Sequence, residues 1–213
     1  MTTGSSVLGI RYNAGVLIAA DTLITYGSMA RYQNVDRIFK INNRILLGGS
    51  GDFADVQCIM RSIDQKIIED QYQNCSTKPN SLATWMTRVL YNRRLCENPL
   101  NIDVIIAGID ECGLPYLANV DMRGGIYEDY VLATCFANQY CVPLVCESKP
   151  RDRDFTFAEA IDLIRSCMQA LYYRDTHSIP LYTVGDCNAD GCRINGPFKV
   201  EENWSFAPLI MGY

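Results

Sequence analysis

Thr2, Thr3, Ser5 and Ser6 gather around Gly4, immediately ahead of an apolar run that starts at Val7. A hydroxyl is a weak nucleophile near neutral pH until a base takes its proton. One solution makes the nucleophile the first residue of a cut chain, so that its own α-amine, which titrates near ~8, serves as the base. An amide nitrogen cannot do this, so a cut after Gly4 would be needed to arm Ser5. Asp21 ends the second apolar run and Arg37 opens the third. The local reading of Asp21 is a strand-end turn residue, and with Arg37 it makes a structural ion pair of carboxylate and guanidinium. Gly48, Gly49 and Gly51 have no lysine after them at phosphate-loop spacing, so they read as strand-to-helix packing. His177 is the only histidine, with no cysteine cluster beside it, and reads as a solvated loop residue.

The elements that must hold these residues follow from periodicity. Val7 to Tyr12 and Val16 to Ala20 flank Asn13-Ala14-Gly15 and predict a hairpin; Arg37 to Ile41 and Ile45 to Leu47 predict a second one around Asn42-Asn43. Phe53, Val56, Met60, Ile63 and Ile67 recur at helical intervals, and Leu82, Trp85, Met86 and Val89 mark a second helix capped near Ser81. Strands return at 102–107, 116–120, 126–127 and 131–134. Pro143 suits the first turn of a short helix ended by Pro150, and Phe157, Ile161, Ile164, Met168 and Leu171 mark a long one reaching Tyr173. Strands near 181–184 and 192–194 precede a tail containing Trp204. This order is α+β, with antiparallel sheets, and suits a four-layer αββα sandwich: two stacked sheets with a helical layer on each outer face. One domain spans 1–213, with residues 1–4 a short N-terminal extension and 204–213 a C-terminal tail.

The net charge of −5 and pI near 4.9 give no electrostatic footprint for nucleic acid. No apolar run is long enough for a membrane span and no export signal precedes the first strand, so a cytoplasmic and nuclear protein is expected. Ten cysteines scattered through apolar segments then read as reduced core residues, with Cys187 and Cys192 simply flanking a turn. Neither a metal nor a cofactor is expected.

Gly4-Ser5, Gly15 to Asp21, Gly27, Gly48-Gly49-Ser50-Gly51-Asp52 with Asp55, and Tyr173-Arg174-Asp175 with Ser178 together resemble the β-type subunits of the proteasome core particle, which are N-terminal nucleophile hydrolases. The likeness runs from about Ser5 to the C-terminus. Tyr26-Gly27-Ser28, Ala30-Arg31-Tyr32, Asn98-Pro99-Leu100 and Leu171 to Asp175 resemble the member at the seventh β position of the eukaryotic ring. The resemblance implies the four-layer fold and neighbours in the same β ring, in the opposite β ring and in an α-type ring.

It also implies a site in which Ser5 stands where active members have threonine, Asp21 orients position 37, Gly51 supplies an oxyanion donor, and Asp175 and Ser178 lie near the nucleophile's amine. The family's lysine is Arg37 here, which keeps its charge and relays no proton. Phe136 aligns with a supporting serine and would crowd the site. The resulting expectation is a non-catalytic subunit in the ubiquitin-dependent, ATP-driven degradation machine. Two readings compete with it: a subunit processed at Gly4 that uses Ser5 as nucleophile, and a free-standing amidohydrolase of the same fold. Tyr172, Tyr173 and Arg174 are expected where subunits meet, since aromatic and arginine residues are enriched in interface centres.

Overall fold

Among the described residues, apolar periodicity anticipates the four helices and the longer strands in their observed order. In the computed structural model, which describes residues 1–205, the chain opens with β1 (Thr2–Gly4), β2 (Val7–Tyr12), β3 (Gly15–Asp21), β4 (Ile24–Tyr26), β5 (Met29–Tyr32), β6 (Ile38–Asn42) and β7 (Ile45–Asp52). Helices α1 (Phe53–Tyr72) and α2 (Pro79–Leu95) follow, then β8 (Ile102–Ile109), β9 (Pro115–Val120), β10 (Ile126–Glu128) and β11 (Val131–Ala133). Helices α3 (Cys135–Ser148) and α4 (Phe157–Arg174) lead to β12 (Leu181–Asn188) and β13 (Gly191–Lys199).

One sheet runs β10-β9-β8-β7-β1-β4-β5, with β6 also on β7; the other runs β11-β2-β3-β12-β13, and every pairing is antiparallel. Val7, Val16, Ile18, Leu46, Ile105 and Ala107 fill the space between the sheets. The outer face of the first sheet packs Leu47, Val104 and Ile106 against Val56, Ile59 and Ile63 of α1 and Met86 and Leu90 of α2. The second sheet packs Leu8, Ile10 and Leu17 against Cys141 and Val145 of α3 and Ile164 and Met168 of α4. This is the αββα sandwich. The sheets approach so closely at Gly48 that a Cβ there would sit 2.7 Å from atoms of both Ile18 and Val7, which is why the central strand carries a glycine.

Several local expectations are corrected. α2 starts at Pro79, which suits the first helical position because its missing N–H needs no partner, and Ser81 lies inside the first turn. α3 begins at Cys135, so Pro143 is interior; Ala137, Cys141 and Val145, four residues apart, bury one continuous face through it. Strands β1, β4 and β5 were not visible as periodic runs because each has three or four residues. Residues 2–4, expected as an extension, form an inner strand of the sheet. Cys187 and Cys192 are joined by a disulfide across the turn, and of the free cysteines only Cys141 and Cys167 are buried, so most of the thiols are not core residues. The proposed tail from Trp204 lies almost wholly outside the described residues.

Candidate functional site

Asp175 and Arg37, distant in sequence, both reach Ser5. It lies in the two-residue link between β1 and β2, and its Oγ donates to Asp175 Oδ2 at 2.6 Å. Asp175 follows the last turn of α4 with its side chain fully buried; its Oδ1 also accepts the backbone N–H of His177 at 2.9 Å. Ser178 closes the same turn by donating its N–H to the Asp175 carbonyl at 3.1 Å. The capping box of Thr156 with Glu159 fixes the start of α4, and so the register that delivers Asp175 at its end.

Arg37, just ahead of β6, is 1% exposed. Its guanidinium donates to Asp21 Oδ1 and to the carbonyl of Ser5, and more loosely to the carbonyls of Ser6 at 3.2 Å and Gly49 at 3.3 Å. Those contacts clamp the link carrying Ser5 to the ends of β3 and β7. Burial pushes the Asp21 carboxyl up to about 6, against the attraction of Arg37, and the negative charge of Asp175 adds to the push. At neutral pH the pair is therefore ionised and closed on itself. A guanidinium already spent on four oxygens positions backbone; it does not shuttle protons.

Gly51 stands directly across from Gly4 in the β1–β7 pairing. Its φ is +93°, and a Cβ would lie 2.3 Å from the Asn101 carbonyl, so only glycine fits. Just beyond, the Asp52 side chain caps α1 by accepting from Ala54 N at 3.0 Å. β1 is held on its other side by β4: Thr3 pairs with Thr25, whose hydroxyl donates to the Thr3 carbonyl at 3.2 Å. Gly4 has no room for a side chain either, because a Cβ would meet Arg37 Nε at 2.7 Å.

Phe136 sits in the first turn of α3 and is 44% exposed. The hydroxyls that tie this segment to the nucleophile strand are Thr134, whose Oγ1 accepts from Val7 N at 2.9 Å, and Ser6, whose Oγ accepts from Ala137 N at 3.1 Å. Both are buried. Cys135, next to Thr134, has its thiol pKa raised by partial desolvation, with Arg37 and the Ser50 and Thr134 hydroxyls pulling the other way. Thr134 and Cys135 carry no sequence signal for the site: a lone threonine or cysteine at a strand-to-helix junction looks like any other.

The model for the family described as proteasome subunit matches residues 1–186. The chain belongs to the proteasome subunit family. It is 65% identical to the proteasome subunit beta type-4 of Drosophila melanogaster over 214 aligned residues, covering 100% of this chain and 80% of that relative. The beta type-4 subunit of Xenopus laevis is 40% identical, covering 100% of this chain and 88% of its own length. The beta type-7 subunit of Saccharomyces cerevisiae is 32% identical, covering 100% and 84%. These relatives place the chain among the β-type proteasome subunits.

The Ser5 nitrogen is in a peptide bond to Gly4, the last residue of β1. The Ser5 hydroxyl directs its proton to the Asp175 carboxylate. Tyr172 and Tyr173, expected at a subunit boundary, meet the segment after β13. Both rings pack edge-on against Trp204, and Tyr173 Oη accepts from Asn203 N at 2.7 Å.

Proposed function

We propose that this β-type subunit is architectural, contributing wall and contacts to the proteolytic chamber while its own site does no peptide hydrolysis. The observation that carries this reading is the placement of β1. An extended peptide reaching the Gly51 amide would have to pair between β4 and β7, and Thr2–Gly4 already pair with both strands. Arg37 in place of a titratable lysine, and the Ser5 proton directed to Asp175, support the same conclusion.

The relatives named beta type-4 in animals and beta type-7 in yeast support a place at the seventh β position, with neighbours in the same β ring, the opposite β ring and an α-type ring. The eight free cysteines among the described residues fit the reducing cytoplasm and nucleus, where we place the particle.

One observation favours the competing reading: Gly51 faces Gly4, the residue at the bond whose cleavage would free the Ser5 amine. The test is to treat the assembled particle with a hydroxyl-directed covalent probe and to determine this chain's first residue by intact mass and fragmentation. A first residue ahead of Ser5 and no label on this chain support the architectural role. A first residue at Ser5 with label on its hydroxyl overturns it.

A further inference from the structure

Cys187 and Cys192 are directly opposed across the β12–β13 hairpin and bonded to each other, with one further pair, Asn188 and Gly191, between them and the turn. Their burial differs from that of the strand they fasten. Cys187 is 0% and Cys192 3% exposed, packed into the layer between the two sheets with Val16, Ile18 and Leu46. β13 is the outermost strand of its sheet, and from Arg193 to Lys199 every residue along it is exposed. Cys192 is therefore the buried side chain by which this edge strand enters the core. Farther along, β13 is held by its backbone ladder to β12 and by Phe198 against Tyr182.

We propose that Cys187 and Cys192 form a reversible thiol–disulfide couple that sets how firmly edge strand β13 is held to the sheet. The couple exchanges with a small thiol of the glutathione type. In reduction, a glutathione thiolate attacks one sulfur and breaks the protein S–S bond, giving a mixed disulfide and one free protein thiolate; a second glutathione thiolate then attacks the glutathione sulfur of the mixed disulfide and releases the other protein thiolate. Two glutathione molecules are oxidised to glutathione disulfide, and the two protein sulfurs each gain a proton and one electron.

Because both sulfurs are covered, exchange requires the hairpin tip to open. That tip, at Asn188 to Gly191, borders a solvent-filled recess shared with the turns at Asn43-Arg44 and Asp110-Glu111, which gives the opening room. Reduced cysteines remain small apolar residues, so the core survives reduction. What is lost is the covalent tie at the inner end of a strand with no other buried side chain along its length. The consequence belongs on the edge: backbone amides along β13 should open more often while β12, paired on both sides, stays protected.

The experiment equilibrates assembled particles in glutathione buffers of graded reduced-to-oxidised ratio, quenches in acid, and alkylates free thiols with N-ethylmaleimide. The number of alkyl groups on the 181–199 fragment is then read by mass, with hydrogen exchange of the same fragment measured in parallel. The fragment is expected to pass from no alkyl groups to two as the buffer becomes reducing, and amides of 192–199 to exchange several-fold faster in the reduced form. A Cys192→Ala chain should show the fast exchange at every ratio. Two alkyl groups at every ratio, or none at every ratio, would overturn the couple. A couple that titrates without changing β13 exchange would overturn its role in holding the strand.

Discussion

Ser5 donates its hydroxyl proton to the fully buried carboxylate of Asp175 at 2.6 Å, across 170 residues of sequence. The bond makes the would-be nucleophile a structural donor: it satisfies a buried carboxylate that would otherwise hold one partner fewer. Replacing Ser5 with Ala should cost about 1–3 kcal/mol, the penalty for leaving a buried acceptor short of a donor. Urea unfolding of the isolated chain measures it. Peptidase activity of particles carrying Ser5→Ala should equal that of the wild type, and a loss of one cleavage specificity would contradict the architectural reading.

Removing either partner of the buried ion pair is expected to be more damaging. Arg37→Met leaves Asp21 without its countercharge and frees the carbonyls of Ser5 and Gly49, and should destabilise the chain by about 3–5 kcal/mol. Arg37→Lys retains the charge but not the four-way reach, so it should fall between wild type and Arg37→Met in denaturant midpoint. Equal midpoints for the Lys and Met variants would show that charge alone, without the fork geometry, is immaterial.

The pH dependence has a definite sign. Burial raises the Asp21 carboxyl from its ordinary 3.8 to about 6, so the folded chain binds a proton that the unfolded chain has released between those values. Stability from this group is therefore fully present below about 4, falls as pH rises to about 6, and is level above that. Asp21→Asn, which cannot ionise, should lack this fall. Denaturant midpoints for both chains between pH 4 and 7 provide the check, and parallel curves would remove Asp21 as the cause.

Two glycines with positive φ should respond differently to alanine. At Gly51 the added Cβ would collide with the Asn101 carbonyl as well as force an L residue to φ +93°, so Gly51→Ala should break the β7–β8 pairing and prevent soluble folding. Gly27, at φ +59° in the β4–β5 turn, has nothing within 4 Å, and Gly27→Ala should cost only about 1–2 kcal/mol from the backbone term. The soluble yield of Gly51→Ala and the thermal midpoint of Gly27→Ala separate collision from conformation.

The longer periodic runs determined the fold in advance. β2, β3 and β8 alternate or run apolar over six to eight residues, and α1 and α4 repeat at helical spacing over twenty and eighteen. Such patterns have one way to bury themselves, and their order permits two antiparallel sheets between helices. The types at the site were also legible: an arginine where proton relay needs lysine, and a serine whose amine is tied up unless the chain is cut. What remained hidden depends on contacts between distant segments. Thr2–Gly4 is too short and polar to announce a strand, and becomes one only because β4 and β7 offer it two edges. Thr134 rather than Phe136 ties α3 to the nucleophile strand because the helix begins eight residues ahead of Pro143, a boundary chosen by the burial of Ala137 and Cys141. The disulfide follows from register, since Cys187 and Cys192 meet only when β12 and β13 pair as they do. Sequence sets each residue's chemistry and each segment's period, and tertiary structure decides which of those chemistries share a site.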